Sequence, residues 1–320
     1  MVDIIVKTIP NLEYITVNEI KEILNAQAKK ILIGRVIFTA KNIAKFIKNT
    51  KSSDVAYIFL KKFKFISQKD IISKIKSIDF SFIKEDFVAR CSRAGNHDFT
   101  SVDIEKKVGE FIFNNGYKVN LNSKEIIYID IINNDCIIGR LISNKLGKRS
   151  YRIKINSLSI TPVLAYSLLK IAKFRPTDSI LDPFCKDGVV LLEAFLLKGK
   201  ELYGIDDYNS IRNAKINSAF AKAKINFYVN DENLNFKPKS IDKIITNLPC
   251  ITKRSNENLI KKILDSFFKK SSLIAKYSIA LITKNNKHVM SMARKNKLKL
   301  ISSIKIAIGS QNYHIMVFKP

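Results

Sequence analysis

The chain has 320 residues, 46% of them hydrophobic, and carries 56 Lys and Arg against 28 Asp and Glu, a formal net charge of +28. This length allows two or three domains with hydrophobic cores, and no apolar run is long enough to cross a bilayer, so we expect a cytoplasmic protein without a membrane segment. The charge favours nucleic acid over a membrane surface as a partner, because the lysines are spread along the chain and form no basic amphipathic helix or polybasic tail.

The first predicted domain, residues 1–64, alternates between strand and helix. Helices are expected at 10–24 and 42–49, and extended segments at 2–7, 30–40 and 55–63. In the first helix the proline stands early, where its missing N–H costs nothing, and apolar residues recur at helical spacing. This order of elements resembles half of a ferredoxin-like fold.

A second predicted domain covers residues 65–144. Its pattern predicts helices at 68–78 and 101–114 and strands at 86–92, 126–132 and 136–141. Asn133-Asn134-Asp135 is typical of a hairpin turn between the last two strands. A basic linker, residues 145–156, follows.

From residue 157 to residue 320 the pattern becomes a regular α/β alternation. Strands at 179–181, 202–205, 226–229, 241–246 and 278–282 are separated by predicted helices, and a hairpin around 309–312 closes the chain. Such alternation predicts a parallel sheet flanked by helices, with an antiparallel hairpin at its edge. We therefore predict an α/β catalytic domain after an α+β N-terminal region.

Four strands of this domain are followed by polar residues that could form a site. The first delivers Asp182-Pro183-Phe184-Cys185-Lys186-Asp187-Gly188, and the second ends at Asp206-Asp207. Open parallel sheets bind ligands at the carboxyl ends of their strands, where a glycine allows close approach and a strand-tip carboxylate can accept hydrogen bonds from ribose hydroxyls. Asp231, after the third strand, could receive an adenine amino group.

Each of these pieces could also have a purely structural role. The first loop has a single glycine, Gly188, so it fails as a dinucleotide fingerprint and could be an ordinary strand-to-helix turn. The acid after the second strand could be a helix N-cap, a role that suits Asp207 better than Asp206. Asp231 could be a solvated turn acid. The four cysteines are scattered without metal-ligand spacing, so we predict no metal site.

The most specific piece is Asn247-Leu248-Pro249-Cys250, after the fourth strand. The side-chain carbonyl of Asn247 and the main-chain carbonyl of Leu248 could together accept the hydrogens of a purine exocyclic amine and turn its nitrogen toward an electrophile. Pro249 stiffens the loop by fixing its φ. Such chemistry needs positioning and a preorganised polar site, with no covalent nucleophile.

Taken together, these motifs resemble class I S-adenosylmethionine-dependent methyltransferases, and most closely the THUMP-domain tRNA guanine-N2 methyltransferases. That family has Asp-Pro-[Phe/Met]-Cys-Gly-Ser-Gly-Thr in the first loop and Asn-Leu-Pro-[Phe/Tyr]-Gly in the fourth. The segment from Phe87 to Asp103 is similar to the THUMP core, and Lys148-Arg149-Ser150-Tyr151-Arg152 to the Lys-Arg-Gly-Tyr-Arg segment that precedes the catalytic domain. The opening, Thr8 to Glu13, resembles Thr-x-Pro-Gly-Leu-Glu.

The resemblance implies a Rossmann-like methyltransferase sheet preceded by a ferredoxin-like and THUMP region that grips the acceptor stem and 3′ end of tRNA. It implies that S-adenosylmethionine is held by Thr161, Pro162, Asp182, Phe184, Gly188, Asp206 and Asp231. The target amine would be held by Asn247, Leu248 and Pro249, and the RNA contacted by Arg90, Arg93, Asn96, His97, Lys148, Arg149 and Arg152.

The implied activity is methylation of the N2 amine of a guanosine, with position 6 of the acceptor stem favoured by the Asn-Leu-Pro and Lys-Arg-Ser-Tyr-Arg forms, in a monomeric enzyme. The chain departs from the family where Lys186 and Asp187 replace Gly-Ser and where Cys250 replaces an aromatic residue. These departures leave open a catalytically inactive tRNA-binding protein. Methylation of guanosine 10 and methylation of a DNA amine stay open as well, although the THUMP-like half argues against DNA.

Overall fold

The computed structural model describes residues 1–229, 236–250, 256–309 and 311–320, which form two β-sheets with helices packed against them. The N-terminal sheet has eight strands and the C-terminal sheet has seven. Among the helices of the described residues, none combines the length and apolar character needed to cross a membrane.

The first part of the eight-stranded sheet comes from six elements, β1 (Val2–Lys7), α1 (Glu13–Leu24), β2 (Ala28–Leu32), β3 (Arg35–Ala40), α2 (Ala44–Asn49) and β4 (Val55–Lys64). The prediction of one strand over 30–40 is wrong, because β2 and β3 are two antiparallel strands joined by a tight turn. Gly34 sits in that turn with a φ of 69°, a conformation that side chains disfavour. The alternating pattern runs through the turn, so it does not reveal the reversal.

The same sheet continues with α3 (Gln68–Ile75), β5 (Asp86–Ala94), α4 (Ser101–Asn114), β6 (Lys118–Val119), β7 (Ile126–Ile132) and β8 (Asp135–Ser143). Its strand order is β2-β3-β1-β4-β8-β7-β5-β6. Since β4 pairs with β8, the predicted boundary between residues 64 and 65 lies at the end of a strand inside one continuous sheet. Hydrophobic cores lie on its two faces.

A buried ion pair shows that this sheet is strongly curved. Arg35 of β3 donates to Asp130 of β7 through Nη2 at 2.7 Å, although β1, β4 and β8 lie between their strands. In a flat sheet these two strands would be about 19 Å apart, at about 4.8 Å per strand, which is farther than the two side chains reach. The sheet therefore curls around this pair, which Tyr57 and Lys7 also contact.

The C-terminal half alternates helix and strand as predicted. Its elements are α5 (Pro162–Ile171), β9 (Ile180–Asp182), α6 (Val189–Leu196), β10 (Leu202–Asp206), α7 (Tyr208–Phe220), β11 (Asn226–Val229), β12 (Ile241–Asn247), α8 (Glu257–Ile274), β13 (Ala275–Thr283), α9 (Asn286–Lys295), β14 (Lys299–Ile308) and β15 (Gln311–Lys319). The strand order is β11-β10-β9-β12-β13-β15-β14. All pairs are parallel except those made by β15, so the predicted parallel sheet with an antiparallel edge hairpin is confirmed.

The two halves pack directly on each other. Leu12 and Ile15, at the start of α1, lie in the same hydrophobic cluster as Leu164, Leu168 and Leu169 of α5. The Asn11 side chain also donates to the main-chain oxygen of Lys305 at 2.9 Å. The N-terminal region is therefore held against the flank of the seven-stranded sheet.

Candidate functional site

The candidate site lies where the strand order of the C-terminal sheet reverses. From β9 the chain proceeds outward through β10 to β11, and then returns to place β12 on the other side of β9. The carboxyl ends of these parallel strands meet at one edge, which is the usual ligand position in open α/β sheets. Asp182, Asp206 and Asn247 are the last residues of β9, β10 and β12, so the structure brings together the three residues on which the sequence prediction depends.

Asp182 is the most deeply buried of the three, with 1% of its surface exposed. Its Oδ1 accepts a hydrogen bond from the Thr246 hydroxyl at 2.6 Å and one from the Phe184 main-chain N–H at 3.2 Å. Burial raises the pKa of Asp182 to about 7, and these two hydrogen bonds offset only part of that effect. The carboxyl group thus changes its charge near neutral pH.

Asp206 is tied to the first loop rather than to the helix that follows it. Its Oδ2 accepts from the Lys186 main-chain N–H at 2.8 Å, and its Oδ1 from the Asp207 N–H at 2.8 Å. Burial raises the pKa of Asp206, although both N–H groups oppose the change. The N-cap of α7 is Asp207, the acid that the sequence favoured for that role.

The first loop makes a tight turn from β9 into α6. Lys186 and Gly188 both have positive φ, at 52° and 81°, and Gly188 is the N-cap of α6. A side chain on Gly188 would press on Ala214 at 3.3 Å. Phe184 is partly buried against the ring of Phe267, with the ring centroids 5.6 Å apart.

Asn247 has its amide orientation fixed by a neighbouring segment. Its Nδ2 donates to the main-chain oxygen of Leu158 at 3.1 Å, which leaves Oδ1 as the side-chain acceptor. Its own main-chain oxygen accepts from the Lys186 ammonium at 2.9 Å. Leu248 is buried, with its N–H donating to Ile282, and Pro249 and Cys250 continue the loop. Asn247 Oδ1 and the main-chain oxygen of Leu248, which accepts a weak hydrogen bond from the Cys250 thiol at 3.6 Å, are the two acceptors that the loop can offer to one amino group.

Asp187 anchors the segment that orients Asn247, a contact that the sequence did not predict. The fully buried Asp187 accepts from Ser159 Oγ at 2.5 Å through Oδ1, and from Arg152 Nη2 at 3.1 Å and the Asn156 N–H at 3.2 Å through Oδ2. Ser159 directly follows Leu158, the acceptor for Asn247. No local pattern indicates such a contact, because the partners are about 30 residues apart along the chain.

The basic linker is bound to the C-terminal domain by hydrogen bonds and ion pairs. Arg149 donates to Glu193 of α6 at 2.8 Å, and Tyr151 donates to the same carboxylate at 2.7 Å. The side chains of Arg149 and Arg152 are only 10% and 13% exposed. These internal ion pairs weigh against the predicted RNA role of the two arginines, whereas Lys148 is exposed.

The remaining predicted cofactor residues have local roles in the structure. The Thr161 hydroxyl caps α5 by accepting from the Leu164 N–H at 3.3 Å, and Pro162 is the first residue of that helix. Asp231 lies outside the described residues, so its assignment to an adenine amino group stays a prediction.

The residues predicted to contact RNA in the N-terminal half lie along β5 and the loop after it. Arg90 contacts Glu105 at 3.7 Å with nearly half of its side chain exposed. Arg93 lies 2.9 Å from His97 Nδ1, and the other ring nitrogen of His97 lies 2.7 Å from the main-chain oxygen of Asn133. Asn96 is exposed. Arg93, Asn96 and His97 therefore lie at the carboxyl end of β5 and in the loop after it, whereas Arg90 lies in the middle of the strand and donates to the main-chain oxygen of Leu121.

Comparison with known proteins identifies relatives for this chain. The family model described as RMKL-like, methyltransferase domain, matches residues 149–314. A tRNA (guanine(6)-N2)-methyltransferase from Methanocaldococcus jannaschii is 31% identical over 208 residues, which cover 59% of this chain and 54% of that protein. The enzyme of the same name from Archaeoglobus fulgidus is 28% identical over 177 residues, covering 51% of this chain and 45% of that protein.

The fold of the whole chain also has a solved counterpart. The crystal structure of TrmN from Thermus thermophilus superimposes with a TM-score of 0.82 at 21% sequence identity, covering 100% of this chain and 99% of that one. The sequence alignments are shorter, and this chain spans about half the length of the two curated relatives. The likeness in three dimensions therefore includes both sheets.

Proposed function

The chain belongs to the family of RMKL-like methyltransferase domains, and on that premise we propose that it methylates tRNA. The reaction transfers a methyl group from S-adenosylmethionine to the N2 amine of a guanosine, at position 6 of the acceptor stem. The observation that carries this proposal is the meeting of Asp182, Asp206 and Asn247 at the switch point of the C-terminal sheet. The names of the two archaeal relatives support the choice of base and position.

The geometry around Asn247 suits an exocyclic amine as the acceptor of the methyl group. The lone pair of such an amine is delocalised into the purine ring, so its nitrogen becomes nucleophilic only when its hydrogens are held and the nitrogen is turned out of conjugation. Asn247 Oδ1 and the main-chain oxygen of Leu248 are the acceptors we assign to those hydrogens. Because Leu158 already binds Nδ2, the amide is held with its oxygen available. The target base has to leave its stack to reach this loop.

The carboxylates and carbonyl oxygens at the strand tips suit S-adenosylmethionine as the cofactor, which supplies a methyl group on a positively charged sulfur. We assign Asp206, at the end of the second strand, to the ribose hydroxyls. Asp182, Asp206 and the carbonyl groups of the two loops make the site rich in hydrogen-bond acceptors. Catalysis then depends on positioning and electrostatic preorganisation, and no side chain has to form a covalent bond.

We assign the N-terminal half to tRNA binding, as a ferredoxin-like and THUMP region that holds the acceptor stem and 3′ end. Arg90, Arg93, Asn96 and His97 are the contacts proposed there, and Lys148 is the exposed member of the linker motif. The formal charge of +28 supports a polyanionic partner. Such binding should weaken steeply as salt concentration rises.

The test is incorporation of labelled methyl groups from S-adenosylmethionine into unmodified tRNA transcripts, followed by nucleoside analysis. We expect labelled N2-methylguanosine, and we expect it to disappear when guanosine 6 of the transcript is replaced by adenosine. Loss on replacement of guanosine 10 instead would favour methylation at position 10. Label found only in N6-methyladenosine would show the base assignment to be wrong.

The rival function is tRNA binding without catalysis. This alternative stays open because Cys250 stands where the family has an aromatic residue. An aromatic at that position contributes stacking on a base worth about 1–3 kcal/mol. Calorimetry with S-adenosylmethionine distinguishes the two functions. Heat of binding at micromolar to millimolar cofactor supports the enzyme, whereas tRNA binding without any cofactor binding supports the rival.

A further inference from the structure

Lys186 reaches from the first loop into the candidate cofactor pocket. Its ammonium donates to the main-chain oxygen of Asn247 at 2.9 Å and lies 3.4 Å from the main-chain oxygen of Phe184. Its own main-chain N–H holds Asp206 at 2.8 Å. One residue thus connects the loops after β9 and β12 and the tip of β10.

The surroundings of this ammonium are negative and partly buried. The pKa values of Asp182 and Asp206 are raised mainly by burial, and the positive charge of Lys186 opposes that change at both carboxyl groups. The two carbonyl oxygens point their dipoles at the same cation. A pocket with these acceptors binds a cation well, and in this chain the cation is supplied by the protein.

The turn at Lys186 does not itself require a lysine. A non-glycine residue with positive φ is uncommon, and Lys186 has a φ of 52°. A glycine in the same place could make the turn but could not place a charge in the pocket.

We propose that the Lys186 ammonium occupies the cation subsite of the cofactor pocket, so that a cationic cofactor binds only when this ammonium is displaced. The inference rests on the proposed function, because it takes the pocket to be the S-adenosylmethionine site. Lys186 then determines how tightly the pocket holds ligands that carry a positive charge at their amino-acid end. Ligands that consist of the nucleoside alone do not compete with it.

The experiment measures the affinity of three ligands for the full chain by calorimetry. S-adenosylmethionine has a sulfonium and an ammonium, S-adenosylhomocysteine has the ammonium alone, and 5′-methylthioadenosine has neither. Lys186→Met removes the charge and keeps most of the stem. Lys222→Met is the matched control, because Lys222 is exposed outside the site and has the same φ of 52°.

We expect Lys186→Met to lower the Kd of S-adenosylmethionine and of S-adenosylhomocysteine by about tenfold, the scale of one charged hydrogen bond released before binding. The Kd of 5′-methylthioadenosine should stay within about twofold, and Lys222→Met should change none of the three values. Thermal unfolding without ligand checks that both variants fold as the parent does.

Two outcomes would overturn the inference while leaving the proposed function intact. Weaker binding of both amino-acid-bearing ligands to Lys186→Met would show that Lys186 contacts their carboxylate. An equal change for all three ligands would show a general effect on the pocket. If neither the parent nor the variant bound any of the three, the proposed function itself would fail, and the inference with it.

Discussion

Asp130 in the eight-stranded sheet and Asp182 in the seven-stranded sheet are equally buried, with 0% and 1% of their surfaces exposed. Their pKa values nevertheless move in opposite directions. Burial would raise the pKa of Asp130, but the hydrogen bonds and charge of Arg35, with help from Lys7 and Tyr57, bring it below the ordinary value. Burial raises the pKa of Asp182 to about 7, since a hydroxyl and an N–H compensate for it less well.

The difference separates a carboxylate that has cationic partners from one that does not. Asp130 has its cations supplied by β1 and β3, so its network is closed. Among the residues that the structure describes, Asp182 has no ion pair within 4 Å, and the positive charge that opposes its raised pKa, on Lys186, is held by carbonyl oxygens instead. The N-terminal sheet thus closes around a buried ion pair, whereas at the edge of the C-terminal sheet burial favours the protonated form of an unpaired carboxyl group.

The largest expected effect is on stability, from Asp130→Ala. The variant leaves the nearly buried Arg35 guanidinium without its carboxylate, and an uncompensated buried charge costs about 3–5 kcal/mol. Urea unfolding monitored by circular dichroism measures the loss. An Arg35→Met, Asp130→Leu double variant is the control, because removal of both charges should restore most of the stability. A double variant as unstable as Asp130→Ala would contradict the assignment of the loss to the unpaired charge.

In the C-terminal sheet, the largest effect should be on rate, from Asn247→Ala. Removal of a preorganised acceptor for the target amine should lower kcat about 10²–10³-fold, the usual effect of deleting one such group. Single-turnover methylation of tRNA measures it. The affinities for tRNA and for S-adenosylmethionine should stay within about twofold, and a parallel loss of tRNA affinity would contradict the assigned role.

The stabilities contributed by Asp182 and Asp130 should change with pH in opposite directions. The folded-state pKa of Asp182 is about 7, above the ordinary 3.8. At a pH between these two values, the folded protein therefore holds a proton on Asp182 that the unfolded chain has lost. The stability from that proton is present at acidic pH and is lost as the pH rises through 7, by about 2–3 kcal/mol between pH 5 and pH 8. For Asp130, whose pKa is lowered, stability is lost as the pH falls through its folded-state pKa.

Asp182→Asn removes the titration and keeps an oxygen to accept from Thr246. Urea unfolding at pH 5, 6.5 and 8 should therefore show that the parent loses stability relative to the variant as the pH rises. A constant difference between the two proteins across this range would mean that Asp182 stays ionised throughout.

The sequence predicted the strand tips well because they depend on local pattern. Apolar runs ending in Asp182, Asp206 and Asn247 indicate strands and their ends, and α/β alternation then places those ends at one edge. The features that it missed are one local turn and several contacts between distant segments. The separation of β2 from β3 depends on one glycine turn inside an alternating run. The contacts of Asp187, and the direction of the Lys186 side chain, depend on pairing between segments and on side-chain torsions, which residue order does not encode locally.

The smallest expected effect tests whether the Asp187 cluster positions the site or only stabilises it. Asp187 holds Ser159, and the preceding Leu158 holds the amide of Asn247, so Asp187→Asn should loosen the orientation of that amide. We expect kcat to fall roughly tenfold, less than the hundredfold that an ångström of misplacement can cost, with unchanged affinities for cofactor and tRNA.

Asp178→Asn is the matched control, because Asp178 is also buried, pairs with Lys243 at 2.8 Å and precedes the other end of β9. It should lower stability by a similar amount without lowering kcat. If both variants reduced kcat in proportion to their loss of stability, Asp187 would be a structural residue and Asn247 would be oriented by its own loop alone.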